Sequence, residues 1–115
     1  MSSQAQAADS ADSQAKTALW VASDAKNGKE DEVAKFMIGG KAVVLDEPGT
    51  SNWFAVRLSK SRFAIFDTFP SESERDAHLS GKVAAALMAK APDMLQHPPS
   101  IQKIDVLAAK LPDTK

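Results

Sequence analysis

The feature that most constrains the fold is a pair of strand-like runs joined by a very short connection. Ser51–Leu58 (SNWFAVRL) and Arg62–Phe69 (RFAIFDTF) are rich in aromatic and β-branched residues, a composition typical of β-strands. Only Ser59-Lys60-Ser61 separates them, which is the length of a hairpin loop. The sequence therefore predicts an antiparallel hairpin in the middle of the chain.

A helix is predicted on the N-terminal side of this hairpin, over Lys29–Leu45. Its apolar residues recur with helical spacing and form one stripe: Val33, Phe36, Met37 and Gly40. Because each glycine lowers helix stability by about 1 kcal/mol, Gly39-Gly40 favours a kink or close packing against another element. Glu47-Pro48-Gly49 then ends the helix and turns the chain.

A second helix is predicted directly after the hairpin. Ser71 is followed three residues later by Glu74, which is the spacing of a capping box. The helix is expected to continue to about Lys90 and to end at Pro92. One apolar face is predicted along its whole length, formed by Ala77, Gly81, Ala84, Leu87, Met88 and Ala91.

Two further strands complete the predicted topology. Thr17–Ser23 near the start and Ile101–Ala108 near the end both have strand-like composition. The resulting order is β-α-β-β-α-β, and right-handed crossovers convert this order into a ferredoxin-like α+β fold. We therefore expect a four-stranded antiparallel sheet with both helices on one face.

The sheet face without helices is predicted to need a partner. Alternation along the second strand places Trp53 and Ala55 on one face, and Phe54 and Val56 on the other. Both faces thus carry bulky apolar groups, which a sheet facing water on one side does not need. A second copy of the chain, related by a two-fold axis, is the simplest partner. We expect a homodimer through this open face.

Composition limits the classes of partner and site. The chain has 115 residues, a net charge of −1 and no cysteine, so we expect one domain over residues 17–111. A Ser/Ala/Gln/Asp-rich leader over 1–16 is predicted to be disordered, and 112–115 to form a tail. The mixed charge argues against nucleic acid or membrane as a partner. Lack of cysteine excludes disulfides, zinc–thiolate sites and iron–sulfur clusters, and suits a cytoplasmic protein.

Four short motifs occur in order along the chain: Glu47-Pro48-Gly49-Thr50, Trp53, Phe66-Asp67 and Asp76-Ala77-His78-Leu79. Their order and spacing resemble the antibiotic biosynthesis monooxygenase domain family, which includes proteins assigned as quinol monooxygenases. In that family a Glu-Pro-Gly turn leads into the second strand, an aromatic–acid pair ends the third, and an Ala-xx-His-type segment lies on the second helix. The resemblance covers roughly residues 17–111. The chain departs from it at Asp67, where the family usually has glutamate, and in a tighter hairpin.

The resemblance implies a dimeric α+β barrel and an oxygenase without cofactor. Characterised members act on phenolic or quinol-like polycycles with molecular oxygen as the co-substrate, relatives degrade haem, and others have no known activity. Such a fold is a poor guide to the reaction. We therefore expect a cofactor-independent monooxygenase for a small aromatic molecule. The alternatives are a dimer that only binds such a molecule and, third, a haem-degrading enzyme.

His78 is the candidate general base, and Asp67 is the candidate group that orients it. Histidine titrates in the range that suits proton removal from a phenol or quinol hydroxyl, and the family resemblance supports this role. The alternative is a helix histidine that is solvated or bonded to a backbone carbonyl. A metal site is not expected, because His97 is far from His78 in sequence and no cluster of ligands accompanies either residue.

The candidate substrate-binding residues are mostly apolar. Aromatic side chains can form a slot for a flat ligand, or can instead belong to the core or the dimer interface. Two polar residues of the second strand, Asn52 and Arg57, are candidates to hold a substrate oxygen. The alternative for Arg57 is an ion pair with Asp67 or Asp105 across the sheet. The apolar candidates are Trp20, Trp53, Phe54, Phe66 and Met88.

Overall fold

The computed structural model describes residues 13–112. It contains four strands and three helices in the following order: β1 (Thr17–Asp24), α1 (Glu30–Val44), β2 (Asn52–Arg57), β3 (Arg62–Phe69), α2 (Glu72–Leu79), α3 (Lys82–Met94) and β4 (Ser100–Asp105).

The four strands form one antiparallel sheet with the order β2-β3-β1-β4. This is the ferredoxin-like arrangement that the order of elements predicted, and the fold class is confirmed. The hairpin is also confirmed, with β2 paired to β3 from Asn52 opposite Thr68 to Arg57 opposite Phe63. The first and last strands occupy the centre and the edge of the sheet, because β1 pairs with both β3 and β4.

Helix α1 packs its apolar stripe on the sheet as predicted. Val33 and Met37 are buried in the core, and Phe36 packs against it. At Gly40 a Cβ atom would lie 3.2 Å from the Trp53 ring, whereas at Gly39 it would meet nothing within 4 Å. Gly40 therefore allows the close approach of strand β2. The sequence predicted either a kink or close packing at the glycine pair, and the structure shows close packing.

The second predicted helix is divided into two, which corrects its predicted apolar face. Helix α2 ends at Leu79, and Gly81 is the extended N-cap of α3. Ala77 is exposed, and the buried residues of α2 are Arg75 and His78. On α3 the predicted positions Leu87 and Ala91 are buried, whereas Met88 is exposed. The prediction assumed one uninterrupted helix, and that assumption was wrong. The buried positions of α3 are Val83, Leu87, Ala91 and Met94.

Pro92 does not end α3, and this too differs from the prediction. The helix continues to Met94. Proline removes only one backbone hydrogen bond, and the loss falls in the last turn, where Ala91, Met94 and Leu95 are buried in the core. Packing therefore holds the final turn together.

All three helices lie on one face of the sheet, and the core lies between them and the strands. The core cluster contains Leu19 and Val21 of β1 and Phe63, Ile65 and Phe69 of β3, together with residues of α1 and α3. We call the other side, which no helix covers, the open face.

The open face carries a row of three aromatic side chains. Phe54 lies opposite Phe66, and Phe66 lies opposite Trp20, so the three point to the same side of adjacent strands. The Phe54 and Phe66 rings are 6.4 Å apart and nearly parallel. Phe54 is 54% exposed. The row thus places apolar surface in water in the isolated chain.

The first residues described already belong to the domain. Residues 1–12 of the predicted leader and 113–115 of the predicted tail lie outside the described residues. Ala15 is buried, and the Lys16 N–H donates to the carbonyl of Phe69 while its carbonyl accepts from Val106. The domain therefore begins a few residues before the predicted boundary. None of the helices within residues 13–112 is long and apolar enough to cross a membrane.

Candidate active site

The site is built where the turn after α1 meets helix α2. The Glu47 N–H donates to the carbonyl of Val44 at 2.9 Å, and the Thr50 N–H donates to the carbonyl of Glu47 at 3.1 Å. These bonds fix the Glu-Pro-Gly-Thr turn. Within it, the Thr50 hydroxyl donates to Glu47 Oε1 at 2.9 Å. The turn therefore holds the Glu47 carboxylate in a defined position beside α2.

His78 lies between two carboxylates. Its Nδ1 is 2.5 Å from Glu47 Oε1 and its Nε2 is 3.0 Å from Asp67 Oδ2. The side chain is 7% exposed, and its ring lies 5.3 Å from the ring of Phe69. His78 is close to the C-terminal end of the short helix α2. Both ring nitrogens thus contact an acid.

Asp67 forms the innermost part of the site. Its side chain is fully buried, on the core-facing side of strand β3. Within the described part of the chain, neither carboxylate oxygen accepts a hydrogen bond of regular geometry. The 3.0 Å distance to Nε2 is therefore best described as an ion-pair contact in which the N–H points partly past the oxygen. A buried carboxylate in this position depends on His78 for its compensation.

The protonation of the pair reflects both burial and charge. Burial raises the pKa of Asp67 above its usual value of 3.8, and the contacts with His78 only partly oppose this. For His78, burial acts to lower the pKa, but the contacts with Asp67 and Glu47 outweigh burial, so the pKa is raised above 6.5. Both groups therefore retain a proton to higher pH than they would in water.

Two clefts meet at the Glu47 turn. One, of about 460 Å³, opens between the turn and the junction of α2 with α3, and Glu47, Thr50 and His78 line it together with Gly81. The other, of about 600 Å³, follows strand β2. The residues that line both clefts are Glu47, Pro48 and Thr50. Either volume suits a small-molecule ligand.

The structure brings some of the predicted site residues together. Asp67 contacts His78. Met88 lines a cavity of about 30 Å³ that lies between the sheet and the helices and is also lined by Asp67 and His78. Asn52, Trp53 and Phe54 line the cleft along β2. Met88 therefore shares a cavity with Asp67 and His78, whereas the three residues of β2 share a cleft with Glu47.

Other predicted residues are kept apart. Trp20 and Phe66 lie on the open face, whereas Trp53 packs against the core, because alternate residues of a strand point to opposite faces. The two tryptophans therefore do not form one aromatic slot. The Trp53 indole N–H is buried and has no hydrogen-bond partner within residues 13–112.

The two polar candidates of strand β2 have local partners. The Asn52 amide donates to the Thr68 hydroxyl at 2.9 Å. Arg57 donates to the carbonyls of Ser59 and Lys60 and lies over the ring of Phe63. The expected pairing of Arg57 with Asp67 or Asp105 is wrong, because Arg57 lies beside the hairpin loop, whose carbonyls are closer.

Glu47 is the residue of this site that the sequence did not single out. It was assigned only to the turn that ends the first helix, although the Glu-Pro-Gly motif contained the signal. No group of three or more histidine or acidic side chains in the described range 13–112 is arranged to hold a metal ion. His97 is exposed and contacts Asp24 at 3.1 Å.

Comparison with known proteins supports both the fold and a family. No protein-family model and no curated protein matches the chain. A crystal structure of a Nitrosomonas europaea protein of unknown function is 44% identical, with a TM-score of 0.85, over 88% of this chain and 98% of that one.

More distant structures carry the predicted family name. A second Nitrosomonas europaea protein, assigned without an established activity to the antibiotic biosynthesis monooxygenases, has a TM-score of 0.72 at 14% identity, over 82% of this chain and 92% of that one. A Caulobacter crescentus protein with the same assignment has a TM-score of 0.70 at 17% identity, over 83% and 92%. These likenesses confirm the predicted fold. The chain therefore belongs to the same family as the Nitrosomonas europaea protein of unknown function, and its fold is that of the antibiotic biosynthesis monooxygenases.

Proposed function

We propose that this protein is a cofactor-independent monooxygenase that acts on a small phenolic or quinol-like aromatic molecule. The observation that supports the proposal is the group Asp67–His78–Glu47 in the wall of a ligand-sized cleft. An acid–histidine–acid group of this kind can accept a proton from a hydroxyl. The fold shared with the antibiotic biosynthesis monooxygenases agrees with this chemistry.

The reaction balances with substrate and oxygen alone. Removal of the hydroxyl proton leaves an electron-rich anion, which can transfer electrons directly to molecular oxygen. One oxygen atom forms a new C=O bond at a carbon that loses its hydrogen, and the other leaves as water with the two hydrogens that the substrate gives up. All electrons come from the substrate. The protein has to accept a proton, hold the anion and return the proton to the departing water.

The surroundings of the site provide places for an aromatic substrate. Trp53, Phe54 and Asn52 line the cleft along β2, which meets the cleft beside His78 at Glu47 and Thr50. A flat ring can pack on such side chains. Phe66 and Trp20, on the open face, would contribute to a dimer interface in this proposal.

Oxygen uptake by purified protein, freed of metal and flavin, tests the proposal. The substrates are a panel of quinols, anthrones and catechols, and autoxidation without protein is the baseline. We expect uptake above that baseline, and its loss in His78→Gln. The matched control is His97→Gln, which changes the exposed histidine and should retain the parent rate. Parent protein that never exceeds autoxidation, or a fully active His78→Gln variant that folds normally, would contradict the proposal.

A dimer that binds an aromatic molecule without converting it is the second candidate. The observation that favours it is that both nitrogens of His78 already contact carboxylates, so neither is free for a substrate. Binding of a panel compound without oxygen uptake would support this candidate. The same contacts weigh against haem degradation, since an axial bond to His78 would have to replace one of them. Absence of a Soret band after haemin is added would agree with that.

A further inference from the structure

Glu47 faces the cleft more openly than His78 does. The Glu47 side chain is 20% exposed, against 7% for His78 and 0% for Asp67. The three groups therefore form a line from the cleft into the core, with Glu47 at the outer end. A substrate that enters the cleft of about 460 Å³ would meet the Glu47 carboxylate before it could reach the imidazole.

The two oxygens of Glu47 have different surroundings. Oε1 accepts from the Thr50 hydroxyl at 2.9 Å and lies 2.5 Å from His78 Nδ1. Oε2 accepts no hydrogen bond within the described part of the chain. It lies beside Gly81, where a Cβ atom would be 3.2 Å from it, and Gly81 also lines the cleft. Oε1 is thus used to position the carboxylate, and Oε2 remains available to a ligand.

The start of helix α3 favours a negative charge at this position. Gly81 is the N-cap of α3 and provides no side-chain cap. The N-terminus of a helix carries partial positive charge and N–H groups without intrahelical acceptors. The N-terminus of α3 therefore stabilises the Glu47 carboxylate beside it. It also stabilises the negative charge on a bound substrate that has given its proton to Glu47.

We propose that Glu47, through Oε2, is the catalytic residue that takes the proton from the substrate in the cleft, and that His78 and Asp67 are positioning residues behind it. This inference rests on the proposed function and assigns the contact atom within it. Glu47 contacts His78, and His78 contacts Asp67, so the three groups act as one unit. The unit, and not an isolated carboxylate, is therefore the proton acceptor.

The charges around the cleft define the class of substrate. Three acidic residues, Asp46, Glu47 and Glu74, line it, together with two basic residues, Lys82 and His78. Negative substituents on a ligand would be repelled here, and a hydroxyl donor would be attracted. A substrate without carboxylate or phosphate groups therefore fits this cleft best.

Proton removal can be measured separately from oxygenation. Under anaerobic conditions in D₂O, the two C10 protons of anthrone exchange for deuterium only through deprotonation, and NMR follows their loss. We expect the parent protein to accelerate this exchange. Glu47→Gln should reduce the acceleration by about 100-fold or more, the usual scale for loss of a general base. Glu72→Gln, an exposed acid on α2 outside the cleft, is the matched control and should retain the parent rate.

Two further variants keep the test decisive. Glu47→Asp retains the charge but withdraws the oxygens from the cleft, and it should lower kcat with little change in KM even if Glu47→Gln folds poorly. Asp67→Asn removes one negative charge from the unit. The acidic side of the pH profile of the exchange rate should therefore move to lower pH, and a residue with a merely structural role would not cause this shift.

The outcomes separate this inference from the proposed function. Exchange that persists in folded Glu47→Gln and Glu47→Asp would overturn the role of Glu47 and leave the oxygenase proposal intact. Exchange by the parent without oxygen uptake in air would support Glu47 and contradict the oxygenase. Parent protein that does not accelerate exchange would overturn the inference.

Discussion

At the scale of single residues, the site is a buried histidine compensated by two acids. Asp67 is fully buried, and an ionised carboxylate in that position would be costly without a charged neighbour. His78 provides that neighbour, and Glu47 contacts its other ring nitrogen. The arrangement couples the protonation of Asp67 and His78 to folding, and it therefore makes stability depend on pH.

Stability should fall as pH rises. Folding raises the pKa of both Asp67 and His78, so the folded state binds their protons more tightly than the unfolded state does. The two groups therefore contribute fully to the free energy of unfolding at a pH below their pKa values in the unfolded state. This contribution is lost as the pH rises through their pKa values in the folded state. For Asp67 the loss begins above 3.8, and for His78 above 6.5.

Urea unfolding between pH 6 and pH 9 measures the part that comes from His78. We expect the parent protein to lose stability across this range and His78→Gln to show a flatter dependence. His97→Gln provides the comparison, because that histidine is exposed and its removal should leave the slope unchanged. A parent protein whose stability is constant or rises over this range would contradict the assignment.

At the scale of elements, short local features decide where the site residues lie. The break at Gly81 ends α2 just after His78, and the Glu-Pro-Gly turn returns Glu47 to the same place. The predicted N-cap at Ser71 is confirmed, since the Glu74 N–H donates to Ser71 Oγ at 3.4 Å, and the Glu74 carboxylate accepts from the Ser71 hydroxyl. Ser71 therefore fixes the start of α2 and, with it, the position of His78 along the helix.

The adjacent glycines of α1 should respond differently to substitution. Gly39 faces open space, so Gly39→Ala should raise the free energy of unfolding by about 0.5–1 kcal/mol through better helix propensity. In Gly40→Ala the new Cβ would lie 3.2 Å from the Trp53 ring, so the gain should be smaller or reversed. Thermal and urea unfolding of the two variants gives the comparison. Equal gains would show that β2 does not pack closely on Gly40.

At the scale of the whole molecule, the open face is the largest feature that the isolated chain leaves unexplained. Phe54 and Val56 are 54% and 37% exposed, and Phe66 and Trp20 continue the apolar row across the sheet. Exposed apolar patches of this kind are typical of protein interfaces. We therefore keep the prediction that two copies pair through this face.

Sedimentation of the protein at micromolar concentration tests the pairing. The parent protein should be a dimer, and Phe54→Glu should dissociate it, because a charge would be buried within the interface. Ile38→Glu is the matched control, since Ile38 is equally apolar and 74% exposed but lies on helix α1. A monomeric parent protein, or a Phe54→Glu variant that remains dimeric, would show that the open face is not the interface.

The sequence alone determined the fold, because the signals for it are local. The three-residue connection specified the β2–β3 hairpin, the spacing of Val33 and Met37 specified α1, and alternation along β2 separated Trp53 from Phe54. Each of these patterns repeats with the period of a helix or a strand, so it can be read without knowledge of distant contacts. The order of elements then left few topologies.

The site was decided only by the tertiary structure. Glu47, Asp67 and His78 lie 20 and 11 residues apart along the chain, as the numbering shows, and no periodic pattern records their contact. The two tryptophans were similar in sequence, yet the pleat of the sheet separates them. The apolar face predicted for the second helix is confirmed at Leu87 and Ala91 but is wrong at Ala77, because Gly81 divides the helix. Contacts between distant segments depend on how elements pack, and packing is a property of the folded chain.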